Sequence, residues 1–137
     1  MDAFDADVLV YAATPANVLG EHVRALFPPG PFDSASPVGV GSTLLYPEVL
    51  TKPLRIGDER ELQTLTEILS RLDLHPMDEA TARLAVTFGA RYKLRAPDAV
   101  HLATAVAAGA DRFITNNQRH FPKAIAEIDV TYPADLA

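Results

Sequence analysis

Ala96-Pro97-Asp98-Ala99-Val100-His101-Leu102-Ala103-Thr104-Ala105 leads through Gly109 into Asp111-Arg112-Phe113-Ile114-Thr115-Asn116-Asn117. Pro97 suits the first turn of a helix, where its missing N–H is no loss. The alanine-rich run predicts a helix through Ala110 that stops near Gly109. Small side chains at positions 99, 103 and 107 would let another backbone approach closely. Phe113 to Thr115 then reads as a strand, so this stretch is a helix-strand unit of an α/β fold.

The flanking sequence repeats the alternation. Downstream, Val130 to Tyr132 predicts a last strand. Upstream, Leu74 to Met77 predicts a short strand, after which Asp78 caps a helix carrying Leu84, Phe88 and Tyr92 in steps of four. Asp58 and Glu61 resemble a capping box, and Leu62, Leu65, Leu69 and Leu72 follow as the clearest amphipathic helix. Ser42 can cap a helix bearing Leu44, Leu45, Glu48 and Val49, which Pro47 is expected to kink or restart and Pro53 to close. Residues 16 to 27 place Leu19, Val23, Leu26 and Phe27 on one helical face, ended by Pro28, Pro29, Gly30 and Pro31. Residues 32 to 41 suit a loop feeding a buried strand around Val38 to Val40, and the chain opens on a strand that stops at Asp5. With no repeat, low-complexity tract or linker, residues 1–137 are expected to form one α/β sandwich around a mainly parallel sheet, large enough to bury a core.

Composition narrows the chemistry. The chain contains no cysteine, which excludes disulfides, thiolate zinc sites and a cysteine nucleophile, and fits a reducing cytoplasm. No secretory leader pattern and no apolar run of membrane-spanning length occurs, so a soluble, intracellular protein is expected. A net charge of −6 argues against nucleic-acid binding through a broad basic surface, leaving contacts that are local or metal-assisted. Arg91, Lys93 and Arg95, then Arg112, Arg119 and Lys123, gather around the late motifs, either to complement helix ends or to face RNA.

Ligands of parallel α/β sheets gather at the carboxyl ends of strands, where Asp5 and Asn117 are expected. Glu48 and Asp98 fall near helix starts, where carboxylates are favourable and can point to a common centre. Converging carboxylates repel one another until a cation neutralises them, and an oxygen-only donor set favours Mg²⁺ or Mn²⁺. Such an ion could bind a phosphodiester oxygen and activate water. Each acid alone also suits a helix cap. Asp7 either adds a ligand or holds its own loop, and Thr115 either orients Asn117 or fills a strand position. His101, one turn after Asp98, reads as a packed residue and His120 as a contact to RNA or solvent.

In these blocks the chain resembles the PIN-domain ribonucleases, in particular the toxins of VapBC-type toxin–antitoxin modules. Asp5, followed by Val10 and Tyr11, matches the family's opening acid; Glu48 follows Ser42 to Tyr46 as its second acid does. Asp98 with Ala99, His101, Leu102, Ala103 and Ala105 matches the most specific block, and Thr115 with His120 and Phe121 the terminal one. Two positions depart from the pattern: Asp7 stands where Asn or Ser is usual, and Asn117 where a fourth acid is usual. The resemblance implies a PIN-like three-layer sandwich and Mg²⁺- or Mn²⁺-dependent cleavage of RNA. It also implies a homodimer inhibited by a cognate antitoxin protein. Asp5 and Asp98 would be metal ligands, Glu48 a ligand or water positioner, and Asn117 a supporting ligand. Asp7 and Thr115 would support them, and Arg95, Arg119 and His120 are candidates for RNA contact. Two alternatives are a PIN-fold binding domain weakened by Asn117 and a haloacid-dehalogenase-type phosphatase, suggested by Asp5-Ala6-Asp7 alone.

Overall fold

Asp2–Phe4 (β1), Gly39–Ser42 (β2), Leu72–His75 (β3), Arg112–Ile114 (β4) and Asp129–Thr131 (β5) pair in parallel as one five-stranded sheet of order β3-β2-β1-β4-β5. They are seen in a computed structural model that describes residues 1–29 and 36–136. Helices Ala6–Ala12 (α1), Val18–Arg24 (α2), Leu45–Ile56 (α3), Glu59–Ser70 (α4), Glu79–Tyr92 (α5) and Ala96–Ala107 (α6) connect and cover the strands.

Successive strand residues point to opposite faces, and each face has its own core. Phe113 packs with Phe88, Leu102, Phe121 and Val130, while the next residue, Ile114, packs with Phe4, Val8, Leu9, Leu45, Leu65 and Leu69. The result is the expected three-layer α/β sandwich, with α5 and α6 on one face and α1, α3 and α4 on the other. Between β1 and its neighbours the strand order reverses, because β2 and β3 extend to one side and β4 and β5 to the other. Crevices form at the carboxyl ends of strands at such a reversal.

Several elements differ from the sequence expectations for local reasons. Val8, Leu9 and Ala12 belong to α1, because Asp5 caps a helix directly after β1. The helix predicted over 16–27 is regular only over Val18–Arg24, where Asn17 Oδ1 accepts from Gly20 N at 3.0 Å. Leu26 and Phe27 follow it in turns that bond back to Val23 and Arg24. Pro47 neither kinks nor restarts α3: as its third residue it lacks an N–H that would have no intrahelical partner. Pro53 does not close α3, which runs to Ile56 with Val49 and Pro53 buried. Leu72 opens β3 rather than extending α4, since the chain turns at Arg71. Of the small residues on α6, Ala99 and Ala103 are buried but Ala107 is exposed. Gly30, Pro31 and the first part of the expected 32–41 loop, through Asp33 to Ala35, lie outside the described residues.

At Gly20 the backbone of α2 meets that of α1 so closely that an added Cβ would lie 2.1 Å from the Tyr11 carbonyl oxygen. No rotamer change relieves a clash with backbone, so α2 must shift. Gly20→Ala is expected to cost about 2–3 kcal/mol in urea unfolding; a loss within experimental error of zero would contradict this packing.

Candidate active site

Asp5 stands at the carboxyl end of β1, half in α1. Its extended backbone lets Oδ1 accept from Ala6 N at 2.8 Å, while its own N–H donates to the Ile114 carbonyl at 2.9 Å. Across the sheet, Thr115 Oγ1 donates to Asp5 Oδ2 at 2.8 Å and accepts from Asn117 N at 3.1 Å. Asp7, in the first turn of α1, accepts from Val8 N at 2.7 Å and from Asn116 N at 3.1 Å. The segment after β4 thus ties both acids of the β1–α1 junction into one network.

Asp98 enters from the first turn of α6 and is 7% exposed. Its Oδ2 is buried and has no hydrogen-bond donor. Arg95 Nε at 3.6 Å and His120 Nδ1 at 3.9 Å stay beyond hydrogen-bonding distance. Asn117 closes a turn, its Oδ1 accepting from His120 N at 3.4 Å and its Nδ2 facing His120 Nδ1 at 3.1 Å. Arg119 is exposed beside it.

Glu48 enters from the first turn of α3 and bonds through Oε1 to His101 Nε2. Spacing of three along α6 puts His101 on the same side as Asp98. Its ring is only 1% exposed and its Nδ1 has no partner. His101, expected as a packed residue, is buried, and it also engages one of the candidate acids. The role of Asn116, whose backbone N–H holds Asp7, left no signal in side-chain identity.

Charge is concentrated here beyond what the protein neutralises. Burial raises the proton affinity of Asp5, and the charge of Asp98 adds to it, against the charge of His101 and the bonds from Thr115 and Ala6. Asp7 is pushed up to about 7, by burial first and the charge of Asp5 second. Burial works against an imidazolium at His101, yet the bond to Glu48 and the charges of Asp5, Glu48 and Asp98 carry its proton affinity above the ordinary value.

Among the described residues, no three His, Asp or Glu side chains form a ready-made cation cage. Asp5 is pinned to Thr115 and Ala6, and Glu48 is taken up by His101. The donor chemistry nevertheless fits a hard cation. A buried carboxylate oxygen without a donor, beside a second carboxylate whose ionisation is disfavoured, is relieved by one positive charge.

A family model described as "PIN domain" matches residues 4–126. The chain belongs to the PIN-domain family. PIN domains are generally nucleases and typically use divalent metal ions. Among solved structures, a toxin–antitoxin complex from Klebsiella pneumoniae is similar at 22% identity and TM-score 0.72, with 97% of this chain and 98% of that one covered. VapBC2 from Rickettsia felis, bound to a DNA fragment from its promoter, is similar at 15% identity and TM-score 0.70, with 96% and 97% covered. At these identities the likeness is one of PIN fold. No curated protein matches the chain. The family assignment accounts for the late blocks that a phosphatase reading of Asp5-Ala6-Asp7 leaves unexplained.

The raised proton affinity of Asp7 has a sign. Between the ordinary carboxylate value of 3.8 and about 7, the unfolded chain has released a proton that the fold keeps. Stability in chelator therefore falls as pH rises through that window and levels off above it. Asp7→Asn is expected to flatten the fall and to exceed the parent by about 1–3 kcal/mol at pH 8, with the difference vanishing near pH 4. Denaturant melts at both pH values check this; an unchanged pH slope would contradict it.

Proposed function

We propose that this protein is a divalent-metal-dependent ribonuclease, the toxin of a type II toxin–antitoxin pair acting in the cytoplasm. The observation that carries the metal reading is the buried, donorless Oδ2 of Asp98 beside Asp5 at the strand-order reversal. Asp5 and Asp98 would hold Mg²⁺ or Mn²⁺, with Glu48 as a further ligand or water positioner and Asn117 in support. The bound ion would supply Lewis acidity toward a phosphodiester oxygen and lower the pKa of water.

The chain's own groups prepare that site. Thr115 and Ala6 fix the Asp5 carboxylate, and each of its oxygens keeps a lone pair for a further partner. Asp7 anchors the segment after β4. Arg95 and His120 lie near Asp98, and exposed Arg119 precedes His120 in the chain, so all three are candidates to meet phosphates. With net charge −6, these local contacts and the cation must carry RNA binding.

The toxin assignment is supported by fold likeness to the Klebsiella pneumoniae toxin–antitoxin complex and to Rickettsia felis VapBC2. An antitoxin that covers the acidic crevice follows from that reading. A homodimer fits the apolar hollow of about 490 Å³ bordered by Leu44, Pro47, Met77 and Val100, next to exposed Val86. One observation favours a second reading, a catalytically weak PIN-fold binding domain: Glu48 and the amide of Asn117 are both engaged within the protein.

Purified, antitoxin-free protein incubated with total cellular RNA and Mn²⁺ separates the two. Cleavage is expected, with Asp98→Asn slower by at least about 100-fold; cleavage by that variant at the parental rate would refute the site. Millimolar Mg²⁺ or Mn²⁺ should also raise the parent's melting temperature and leave that of Asp5→Asn unchanged. Equal shifts in both proteins would place the ion elsewhere.

A further inference from the structure

We infer that His101 is a positioning residue that tethers Glu48 to α6 beside Asp98. The inference rests on the metal-site reading above and assigns to its third acid a holding group within the chain. Glu48 is 31% exposed at its side chain and sits in the first turn of α3, so nothing in its own helix fixes its carboxylate over α6. The single bond from His101 Nε2 to Oε1 does so, and Oε2 makes no hydrogen bond among the described residues. His101 itself is held in the interior: its ring is almost fully buried, on a helix whose neighbouring Leu102 and Ala103 are wholly buried. The imidazole therefore acts as a rigid arm with one donor directed at Glu48.

Its buried Nδ1 without a partner is the second observation. A buried histidine placed only to fill space would be replaced by an apolar side chain without leaving a polar atom unpaired. Here the protein tolerates that unpaired nitrogen and keeps the other in contact with Glu48. Outer-shell partners of this kind orient metal-binding carboxylates, and their loss weakens metal affinity or activity by about 10- to 100-fold.

Two other roles predict different results. A purely electrostatic role, that of a protonated ring beside three carboxylates, has the opposite sign, since its removal would tighten cation binding. A purely structural role would weaken binding regardless of whether Glu48 is present. Mn²⁺ titration followed by calorimetry on the parent, Glu48→Ala, His101→Ala and the double variant reads all three. His101→Gln serves as the conservative variant, and a chelator melt verifies folding of each.

The expected result is Mn²⁺ affinity about tenfold weaker in His101→Ala, partial recovery in His101→Gln, and no further weakening when His101→Ala is added to Glu48→Ala. Unchanged or tighter binding by folded His101→Ala overturns the inference while leaving the metal site intact. Equal weakening in both backgrounds overturns it as well. Absence of Mn²⁺ binding by the parent overturns the metal-site reading and this inference together. If His101→Ala does not fold, the His101→Gln arm decides: affinity as weak as in Glu48→Ala overturns the tether, and affinity nearer the parent supports it.

Discussion

The bond from Thr115 Oγ1 to Asp5 Oδ2, 2.8 Å long and fully buried, is the constraint on which the site depends. It joins the ends of the central strand β1 and its neighbour β4, where the strand order reverses. Without it, Asp5 would be a buried carboxylate held only by its own helix start. With it, Asn117 N–H donates to the Thr115 hydroxyl, which donates in turn to the Asp5 carboxylate, and Asn116 extends the same loop to Asp7. Buried polar networks are tolerated where their members are satisfied. This one is satisfied on the Asp5 side and unsatisfied at Asp98.

That asymmetry gives the crevice its chemistry. Two apolar cores hold the sheet rigid from both faces, so Asp5 and Asp98 cannot move apart to relieve their repulsion. The fold responds by raising proton affinities at Asp5 and Asp7 and by recruiting His101. A protein selected only for stability would have little use for such a cluster. In a family whose members are generally nucleases and typically use divalent metal ions, such a cluster is expected.

Much of this was legible in the sequence, and the misses share physical causes. Two expected caps hold, Asp58 and Asp78 bonding the N–H groups three residues on, whereas Ser42 accepts from Leu44 N ahead of α3, which starts without a side-chain cap. The mainly parallel sheet and the sandwich followed from alternation of helix and strand, whereas the strand order did not. Helix α1 was missed because an acid after an apolar strand reads as an end, whereas Asp5 is both an end and a cap. Pro47 and Pro53 misled because a proline's effect depends on its place in the helix and on packing around it. The candidate acids stand where they were expected, Asp5 at a strand end and Glu48 and Asp98 in the first turns of helices. Their partners were not, because the Glu48–His101 bond and the grip of Asn116 on Asp7 depend on tertiary placement that no local spacing encodes.

This fold leaves one buried carboxylate oxygen, Asp98 Oδ2, without a donor and open to a cation. Anomalous diffraction from crystals grown with Mn²⁺ tests it most directly. The account predicts one peak within coordination distance of Asp98 Oδ2 and an Asp5 oxygen, with the Thr115 bond kept. A fully occupied crystal lattice without a peak there, or with Mn²⁺ bound only elsewhere, would contradict it.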